Sequence, residues 1–263
     1  MTATLLDVSS VDGVRRIALN RPQKRNALSR ELIHQLQAEV TKASQEDCVR
    51  LVVLAAEGSV FCAGMDLAEM QDRATHDNAQ ELWKQDTQTY RDLLVSLVTL
   101  PKPTLAVVQG PALAGGMGLA MACDLVLASD AALFGLPEPK RGITAAVVAP
   151  LVCYRAGIST ASFLLLSGKN LIASESLSRG LCHQVVSGDD LKTAEQALCH
   201  SILTGAPAAL AATKTHLLNT AGRDLIPQLD TGMQVSAQAR ETQDAREGLA
   251  AFLEKRDPQW SPS

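Results

Sequence analysis

The sequence has few aromatic residues and no large excess of either charge. Aromatic side chains account for 3% of the 263 residues, whereas hydrophobic residues together reach 46% and charged residues 20%. Mainly aliphatic side chains must therefore fill the core, and this composition excludes a disordered, collagen-like or disulfide-knitted chain. A net charge of −4 leaves no basic excess to neutralise a nucleic-acid backbone, although a few local cations can still bind a small anionic ligand.

The usual marks of a metal site, a secretory signal and a membrane span are also missing. The six cysteines form no C-x-x-C pair and the five histidines form no H-x-x-x-H pattern, which predicts reduced core thiols, a reducing cytoplasmic location and no metal. The first residues lack the basic and apolar regions of a signal peptide. Gln109, Gly110 and Pro111 interrupt the uncharged stretch between Lys102 and Asp124, so we expect a buried strand, turn and helix there and no membrane partner.

Hydrophobic periodicity predicts an α/β fold. Asp12-Gly13 predicts the turn of a hairpin, and leucine or valine every fourth residue from Leu28 to Val40 predicts a helix with Ser29 as its N-cap. Short apolar runs predict strands at residues 51–55, 104–109 and 124–128. From Thr144 onward helical patterns dominate: they predict separate helices over 145–154 and 160–166, followed by further helices towards the end of the chain. The polar residues 72–88 are predicted to form a mobile surface segment.

Strand and helix signals recur loosely, as in a coil of repeated β-β-α units. Their distribution along the chain predicts an α/β core over residues 1–200 and a helical region over residues 201–263.

Two glycine-rich segments each join a predicted strand to a predicted helix. They are Phe61–Leu67 (FCAGMDL) and Gly110–Gly118 (GPALAGGMG). Each places unpaired backbone N–H groups at a helix N-terminus, where they favour an anion, and two such turns facing each other would form an oxyanion hole. The alternative is that each glycine cluster only permits a close strand–helix crossing.

Other ligand-binding motifs are absent from the sequence. Met121 stands where a dinucleotide fingerprint needs a third small residue, and neither a phosphate-binding P-loop nor a G-x-S-x-G nucleophile elbow occurs.

Glu138 is a candidate acid–base residue. Pro137 and Pro139 restrict its backbone, and its apolar surroundings are expected to raise the pKa of its carboxyl group towards neutrality. The alternative is a surface glutamate that pairs with Lys140 or Arg141.

The segments FCAGMDL, GPALAGGMGLAMACDLVLA and FGLPEPKRGI resemble the signature of the crotonase (enoyl-CoA hydratase/isomerase) superfamily. LNRPQKRNALS near the start and EGLAAFLEKRDPQW near the end resemble its terminal segments. The resemblance implies a crotonase-like spiral of β-β-α units that binds acyl-CoA, with residues 201–263 as a helical trimerisation region. It also implies a homotrimer or a dimer of trimers, with coenzyme A as part of the substrate and no separate cofactor.

The resemblance also implies roles for individual residues. The thioester oxygen would bind the backbone N–H groups of Met65 and Gly115, with Glu138 as the acid–base residue. The positions that match coenzyme A contacts are Lys24, Arg25, Ala27, Ala63, Asp66 and Leu67. Phe252 and Lys255 match positions that in relatives can reach the coenzyme A of a neighbouring subunit; the alternative is an amphipathic terminal helix with Phe252 in a core.

The sequence departs from the two-glutamate pattern of the hydratases, because Gly118 stands where they carry their first glutamate. We expect a space beside Gly118 that could hold a water. A single carboxylate suits a 3,2-enoyl-CoA isomerase, in which Glu138 would move one proton between C2 and C4. Residues 136–150 look more like relatives that hydrate branched enoyl-CoA substrates, including methylglutaconyl-CoA-type hydratases with one glutamate. Hydratase is therefore the first expectation, with isomerase and a non-catalytic acyl-CoA-binding oligomer as alternatives.

Overall fold

A computed structural model of the chain describes residues 4–260 as a mixed α/β fold with two β-sheets. The larger sheet has six strands in the order β1-β2-β3-β4-β6-β9, and the smaller has three in the order β5-β7-β8. The strands are β1 Leu6–Val11, β2 Val14–Leu19, β3 Leu51–Ala56, β4 Thr104–Val108, β5 Ala112–Leu113, β6 Leu125–Ser129, β7 Leu133–Gly135, β8 Asn170–Ile172 and β9 Gln184–Val186.

Ten α-helices connect and cover these sheets in the described part of the chain. They are α1 Arg30–Gln45, α2 Leu67–Ala74, α3 Ala79–Thr99, α4 Gly115–Ala122, α5 Ala149–Ser167, α6 Ala173–Ser178, α7 Leu191–Leu203, α8 Pro207–Asn219, α9 Leu225–Ala239 and α10 Gln243–Glu254. A short 3-10 helix over Glu138–Arg141 lies between β7 and α5.

The first half of the chain folds as its periodicity predicts. β1 and β2 form an antiparallel hairpin around Asp12-Gly13, and β2, β3, β4, β6 and β9 then run parallel. The hydroxyl of Ser29 accepts a hydrogen bond from the backbone N–H of Leu32 at 3.2 Å, which confirms the predicted N-cap of α1. All six residues of β3 are buried, as expected for a parallel strand covered on both faces.

The prediction of a mobile segment at residues 72–88 is wrong, because α2 and α3 include most of it. Trp83, Thr87 and Tyr90 lie three or four residues apart on α3 and are buried, so this face of a largely polar helix belongs to the core. The polar residues on the other faces of α3 concealed that pattern in the sequence.

The helical second half differs from prediction in its strands. The two helices predicted over 145–154 and 160–166 are confirmed as the two segments of α5, because the non-helical backbone of Gly157, with φ +76° and ψ 165°, separates them; the first segment begins at Ala149. Two strands, β8 and β9, were not predicted, since three residues are too few for a periodic signal. α9 packs against α3 and α5, so the helical C-terminal part is closely joined to the rest, and the division predicted at residue 200 stays a prediction.

Two features bear on the cysteine and membrane predictions. All six cysteines are free thiols, as predicted, and four of them are buried. Within residues 4–260, only α5 is long and apolar enough to meet the length and composition of a membrane span. That test is also passed by core helices of soluble proteins, and α5 packs against α4 and α9.

Candidate active site

The two glycine-rich turns predicted from the sequence face each other in the structure. A Cβ atom placed on Gly64, where φ is +96°, would lie 2.6 Å from the Cβ atom of Ala114 and 3.3 Å from the backbone nitrogen of Gly115. A Cβ atom on Gly116 would lie 2.3 Å from the carbonyl oxygen of Cys62. Glycine at these two positions therefore allows the turn before α2 and the turn before α4 to come into contact.

Each turn leaves one backbone donor free beside the other. The backbone N–H of Leu28 donates to the carbonyl oxygen of Gly64, and that of Asp66 donates to Leu28, so Met65 lies between two bonded residues without using its own N–H. Gly115 is the first residue of α4, where an N–H has no partner within the helix. Within residues 4–260 neither Met65 nor Gly115 donates a backbone hydrogen bond, and both residues line the same cleft.

The residue before α4 has an unusual backbone conformation. Ala114 adopts φ +52° and ψ −127°, a combination that a residue with a side chain rarely adopts. Its own N–H donates to the carbonyl oxygen of Gly135 at 2.9 Å, which attaches the turn to β7. Strain of this kind persists where surrounding contacts enforce it and is common at functional sites.

Glu138 is a buried carboxyl group in this cleft. It is 6% exposed, and its Oε2 atom has no hydrogen-bond partner among the described residues. Burial raises the pKa of Glu138 to about 7, and a backbone hydrogen bond and the nearby charge of Arg141 oppose this increase only in part. Glu138 can therefore both donate and accept a proton near neutral pH, and the alternative of an exposed surface glutamate is wrong.

The space expected beside Gly118 is occupied by the side chain of Tyr90. A Cβ atom on Gly118 would lie 2.1 Å from the hydroxyl oxygen of Tyr90 and 2.9 Å from a methyl carbon of Val148. That hydroxyl donates a hydrogen bond of 2.6 Å to the carbonyl oxygen of Gly115. Burial and the nearby Cys62 and Glu138 raise the pKa of Tyr90 well above its usual value, so the phenol stays neutral. The expectation of a water-sized space is wrong because a phenol fills it.

The cleft around these groups encloses about 620 Å³ of space, including its open mouth. Glu138 is the one carboxylate among the described residues that line it. The other lining side chains are mostly apolar or small, with two guanidinium groups among them: Ala63, Met65, Leu67, Met70, Thr87, Tyr90, Ala114, Arg141, Ile143, Thr144, Ala145, Val147, Val148, Ser236 and Arg240.

The six residues matched to coenzyme A contacts form one connected surface beside the cleft. The backbone N–H of Ala63 donates to the carbonyl oxygen of Arg25, and the Arg21 guanidinium bonds the carbonyl oxygen of Ala27 and the carboxylate of Asp66. Lys24 and Arg25 are exposed on the preceding turn, while Ala63 and Leu67 line the cleft. The surface is therefore basic outside and apolar where it meets the cleft.

Phe252 and Lys255 lie at the end of α10, which packs on the 3-10 helix of the same chain. The Arg141 guanidinium lies 4.3 Å from the ring centroid of Phe252, a cation–π contact within one subunit. Phe252 is nevertheless 46% exposed and Lys255 is exposed, so both retain free surface. The alternative of an amphipathic terminal helix with Phe252 in a core is confirmed for the helix and wrong for Phe252, whereas contact with a neighbouring subunit's ligand stays a prediction.

Several cleft residues were missed by the sequence analysis. Tyr90 and Thr87 come from α3, and Ser236 and Arg240 come from α9 and the residue that follows it. No local motif marks them, because they reach the cleft only through the packing of α3 on α9. The seven-residue spacing of Trp83 and Tyr90 was the one signal that could have indicated a buried face on α3.

Comparison with known proteins gives concordant results over almost all of the chain. The family model described as "Enoyl-CoA hydratase/isomerase" matches residues 10–263. A Thermus thermophilus protein provisionally named an enoyl-CoA hydratase is 37% identical, over 93% of this chain and 96% of its own. The enoyl-CoA isomerase/hydratase fer4 of Mycosarcoma maydis is 34% identical, over 95% and 93%. The crystal structure of an enoyl-CoA hydratase from Mycobacterium avium matches with a TM-score of 0.87 at 30% identity, over 99% and 100%.

Proposed function

The chain belongs to the enoyl-CoA hydratase/isomerase (crotonase) family, whose fold it shares, and it is an enzyme of that family. From this we propose that it is an enoyl-CoA hydratase, which adds water to the double bond of an α,β-unsaturated acyl-CoA thioester. The observation that carries the proposal is the arrangement of the buried Glu138 in the same cleft as the free N–H groups of Met65 and Gly115.

The two free N–H groups would bind the thioester oxygen. When water attacks C3, negative charge moves onto that oxygen, and donors already in place stabilise it without reorganisation. The loss of one such donor typically costs about 3 kcal/mol of transition-state stabilisation in other enzymes. The close approach of the two turns at Gly64 and Gly116 supports this role.

Glu138 would manage the protons of the reaction. In its neutral form it donates a proton to C2 while the water oxygen bonds to C3, and the proton that water loses then returns to the Glu138 carboxylate. A pKa of about 7 supports this cycle because both forms of the group are accessible near neutral pH. The Tyr90 hydroxyl, whose hydrogen is directed to Gly115, retains lone pairs that can accept a hydrogen bond from the attacking water.

Double-bond isomerisation is the second candidate, and one observation favours it. Glu138 is the one carboxylate that lines the cleft within residues 4–260, and Tyr90 fills the place beside Gly118. An isomerase needs one base that takes a proton from C2 and returns it to C4, which Glu138 alone could do. The third candidate, an acyl-CoA-binding protein without activity, gives no role to a buried carboxyl group with a pKa near neutrality.

We also propose how coenzyme A would lie on the surface described above. Lys24 and Arg25 would interact with its phosphates, and Ala27, Ala63, Asp66 and Leu67 would border its adenine and pantetheine. Three observations support this: the exposure of the two cations, the hydrogen bonds that hold the turn to Asp66, and the position of Ala63 and Leu67 in the cleft. Coenzyme A would arrive as part of the substrate, with no separate cofactor, and a cytoplasmic location remains part of the proposal.

A homotrimer or a dimer of trimers is proposed for the assembly. Large apolar side chains stay exposed in the single chain, among them Ile158 and Leu166 on α5, at 72% and 82%, and Phe252 and Leu253 on α10. Exposed apolar side chains of this size favour burial against other subunits, and Phe252 and Lys255 could then meet a neighbour's coenzyme A. Light scattering should give a multiple of the 27.9 kDa chain, and a monomer would contradict this.

A panel of enoyl-CoA thioesters tests the proposed activity. Each 2-enoyl-CoA would be assayed for water addition by the loss of its conjugated ultraviolet absorbance, and each 3-enoyl-CoA for the gain of that absorbance. Saturable water addition by the 2-enoyl substrates supports the hydratase. Saturable migration of the 3-enoyl double bond without water addition would identify the isomerase instead.

A further inference from the structure

A buried guanidinium group in the cleft has no carboxylate partner among the described residues. Arg240, which follows the last residue of α9, is 8% exposed and lines the cleft that contains Glu138. Asp86, the carboxylate that acts on the pKa of Arg240, is salt-bridged to Arg30 and Arg73, and the salt bridges within residues 4–260 include none to Arg240. A largely buried charge without a bonded partner is unfavourable, and an anion bound in the cleft would supply that partner.

The carboxylate that acts on Arg240 already pairs with other cations. Asp86 is close enough to act on the pKa of Arg240, which burial lowers to about 10. Its carboxylate oxygens lie 3.3 Å from Arg73 nitrogens and 3.6 Å from an Arg30 nitrogen. Glu69 in turn accepts a hydrogen bond from the backbone of Arg30 and pairs with its guanidinium at 3.7 Å. Three guanidinium groups therefore share two carboxylates, which leaves an excess positive charge beside the cleft.

The position of Arg240 relates it to the acyl part of a substrate. The thioester oxygen is assigned to the turns before α2 and α4, and coenzyme A to the surface that begins at Ala63 and Leu67. The acyl chain must then occupy the remaining side of the cleft, which α3 and α9 form with Thr87, Ser236 and Arg240. The phosphates of coenzyme A have their own exposed cations, so Arg240 inside the cleft is available to the acyl group.

We propose that Arg240 binds a carboxylate at the far end of the acyl group, so that the preferred substrates are enoyl-CoA thioesters of dicarboxylic acids. The identification of the ligand as an acyl-CoA rests on the proposed function. A carboxylate fits because a guanidinium group presents parallel N–H donors that match its two oxygens, and because an anion balances the excess charge. Of the two guanidinium groups that line the cleft, Arg141 lies against the ring of Phe252 and near Glu138, so Arg240 is the cation on the side that α3 and α9 form.

Binding of saturated thioesters tests the proposed role of Arg240 without any turnover of the ligand. Calorimetry would compare glutaryl-, adipyl- and pimelyl-CoA with the thioesters in which an isopropyl group replaces the free carboxylate. For at least one pair, we expect the unaltered protein to bind the carboxylate form about 10- to 100-fold more tightly. Arg240→Met should remove that preference by weakening binding of the carboxylate form, and Arg240→Lys should retain part of the preference. Arg246→Met, at an exposed position on α10, is the matched control and should behave as the unaltered protein.

The outcomes separate this inference from the proposed function. Equal binding of both members of every pair by the unaltered protein would overturn the role of Arg240, whatever the variants do. Water addition to 2-enoyl-CoA with no preference for a terminal carboxylate would also overturn it and leave the hydratase intact. A carboxylate preference that depends on Arg240, without water addition or double-bond migration, would support this inference and contradict the proposed activity.

Discussion

The hydroxyl of Tyr90 donates a 2.6 Å hydrogen bond to the carbonyl oxygen of Gly115 and occupies the position that a side chain at residue 118 would need. The substitution of a glutamate for Gly118 would therefore displace Tyr90 before it could supply a base. The absence of the first glutamate and the presence of Tyr90 are two aspects of one packing arrangement. Any restoration of a second carboxylate at residue 118 has to include residue 90.

This relationship predicts coupling between residues 90 and 118. Gly118→Ala alone should lower the free energy of unfolding because its Cβ would overlap the Tyr90 hydroxyl. In a Tyr90→Phe background that hydroxyl oxygen is absent, and the next atom that the added Cβ would meet is a methyl carbon of Val148 at 2.9 Å. Denaturant unfolding of the two single variants and the double variant should give a coupling energy of about 1 kcal/mol or more. Additive effects would show that Tyr90 does not fill this space.

Tyr90→Phe also distinguishes the two candidate reactions. If the hydroxyl orients the attacking water, its loss should lower kcat for water addition about tenfold. Isomerisation uses no water, so any decrease in double-bond migration should be smaller. Parallel assays of both reactions with the variant provide the measurement, and equal losses would assign Tyr90 to the support of Gly115 alone.

The contact between the two turns predicts the effect of one added methyl group. Gly64 has a positive φ, and Gly64→Ala would place a Cβ atom 2.6 Å from the Cβ atom of Ala114. The two turns must then separate, and the N–H groups of Met65 and Gly115 move apart with them. We expect kcat to fall at least about 100-fold, as when an oxyanion donor is lost. Gly188→Ala is the matched control, because a Cβ there meets nothing within 4 Å, and it should retain full activity. Similar activity of both variants would contradict the assignment of the oxyanion site.

Glu138 should make stability depend on pH. Its pKa is about 7 in the folded chain, against an ordinary 4.5, so the folded state holds a proton that the unfolded state has released. The contribution of Glu138 to the free energy of unfolding is fully present below pH 4.5 and is lost as the pH rises through about 7. The total loss is about 3 kcal/mol. Glu138→Gln should therefore gain stability relative to the unaltered protein between pH 4.5 and pH 8, as measured by denaturant unfolding. Glu241→Gln, at an exposed position, should show no such gain.

The glycine-rich turns and Glu138 could be predicted from the sequence because their chemistry is local. Gly64 and Gly116 mark a close backbone approach, and Pro137 and Pro139 mark a restricted carboxylate. Each signal lies within a few residues of the group that it positions. The structure confirms that the two turns meet and that Glu138 is buried.

The helical side of the cleft could not be predicted in the same way. Tyr90 and Arg240 lie 150 residues apart in the sequence and share a cleft only because α3 packs on α9. Tyr90 also lies in a helix whose polar faces led to the incorrect prediction of a mobile segment before it. Tertiary packing, which local periodicity does not encode, determined both the filling of the space at Gly118 and the burial of Arg240.

The turnover of Glu138→Gln tests the central claim most directly. Gln keeps the shape of the side chain but cannot exchange a proton, so the variant should lose nearly all water addition to crotonyl-CoA and still bind a saturated acyl-CoA with almost unchanged affinity. Ultraviolet absorbance measures the first quantity and calorimetry the second. A variant that kept more than about a tenth of the activity would contradict the account, since the proton would then have to come from a group other than Glu138.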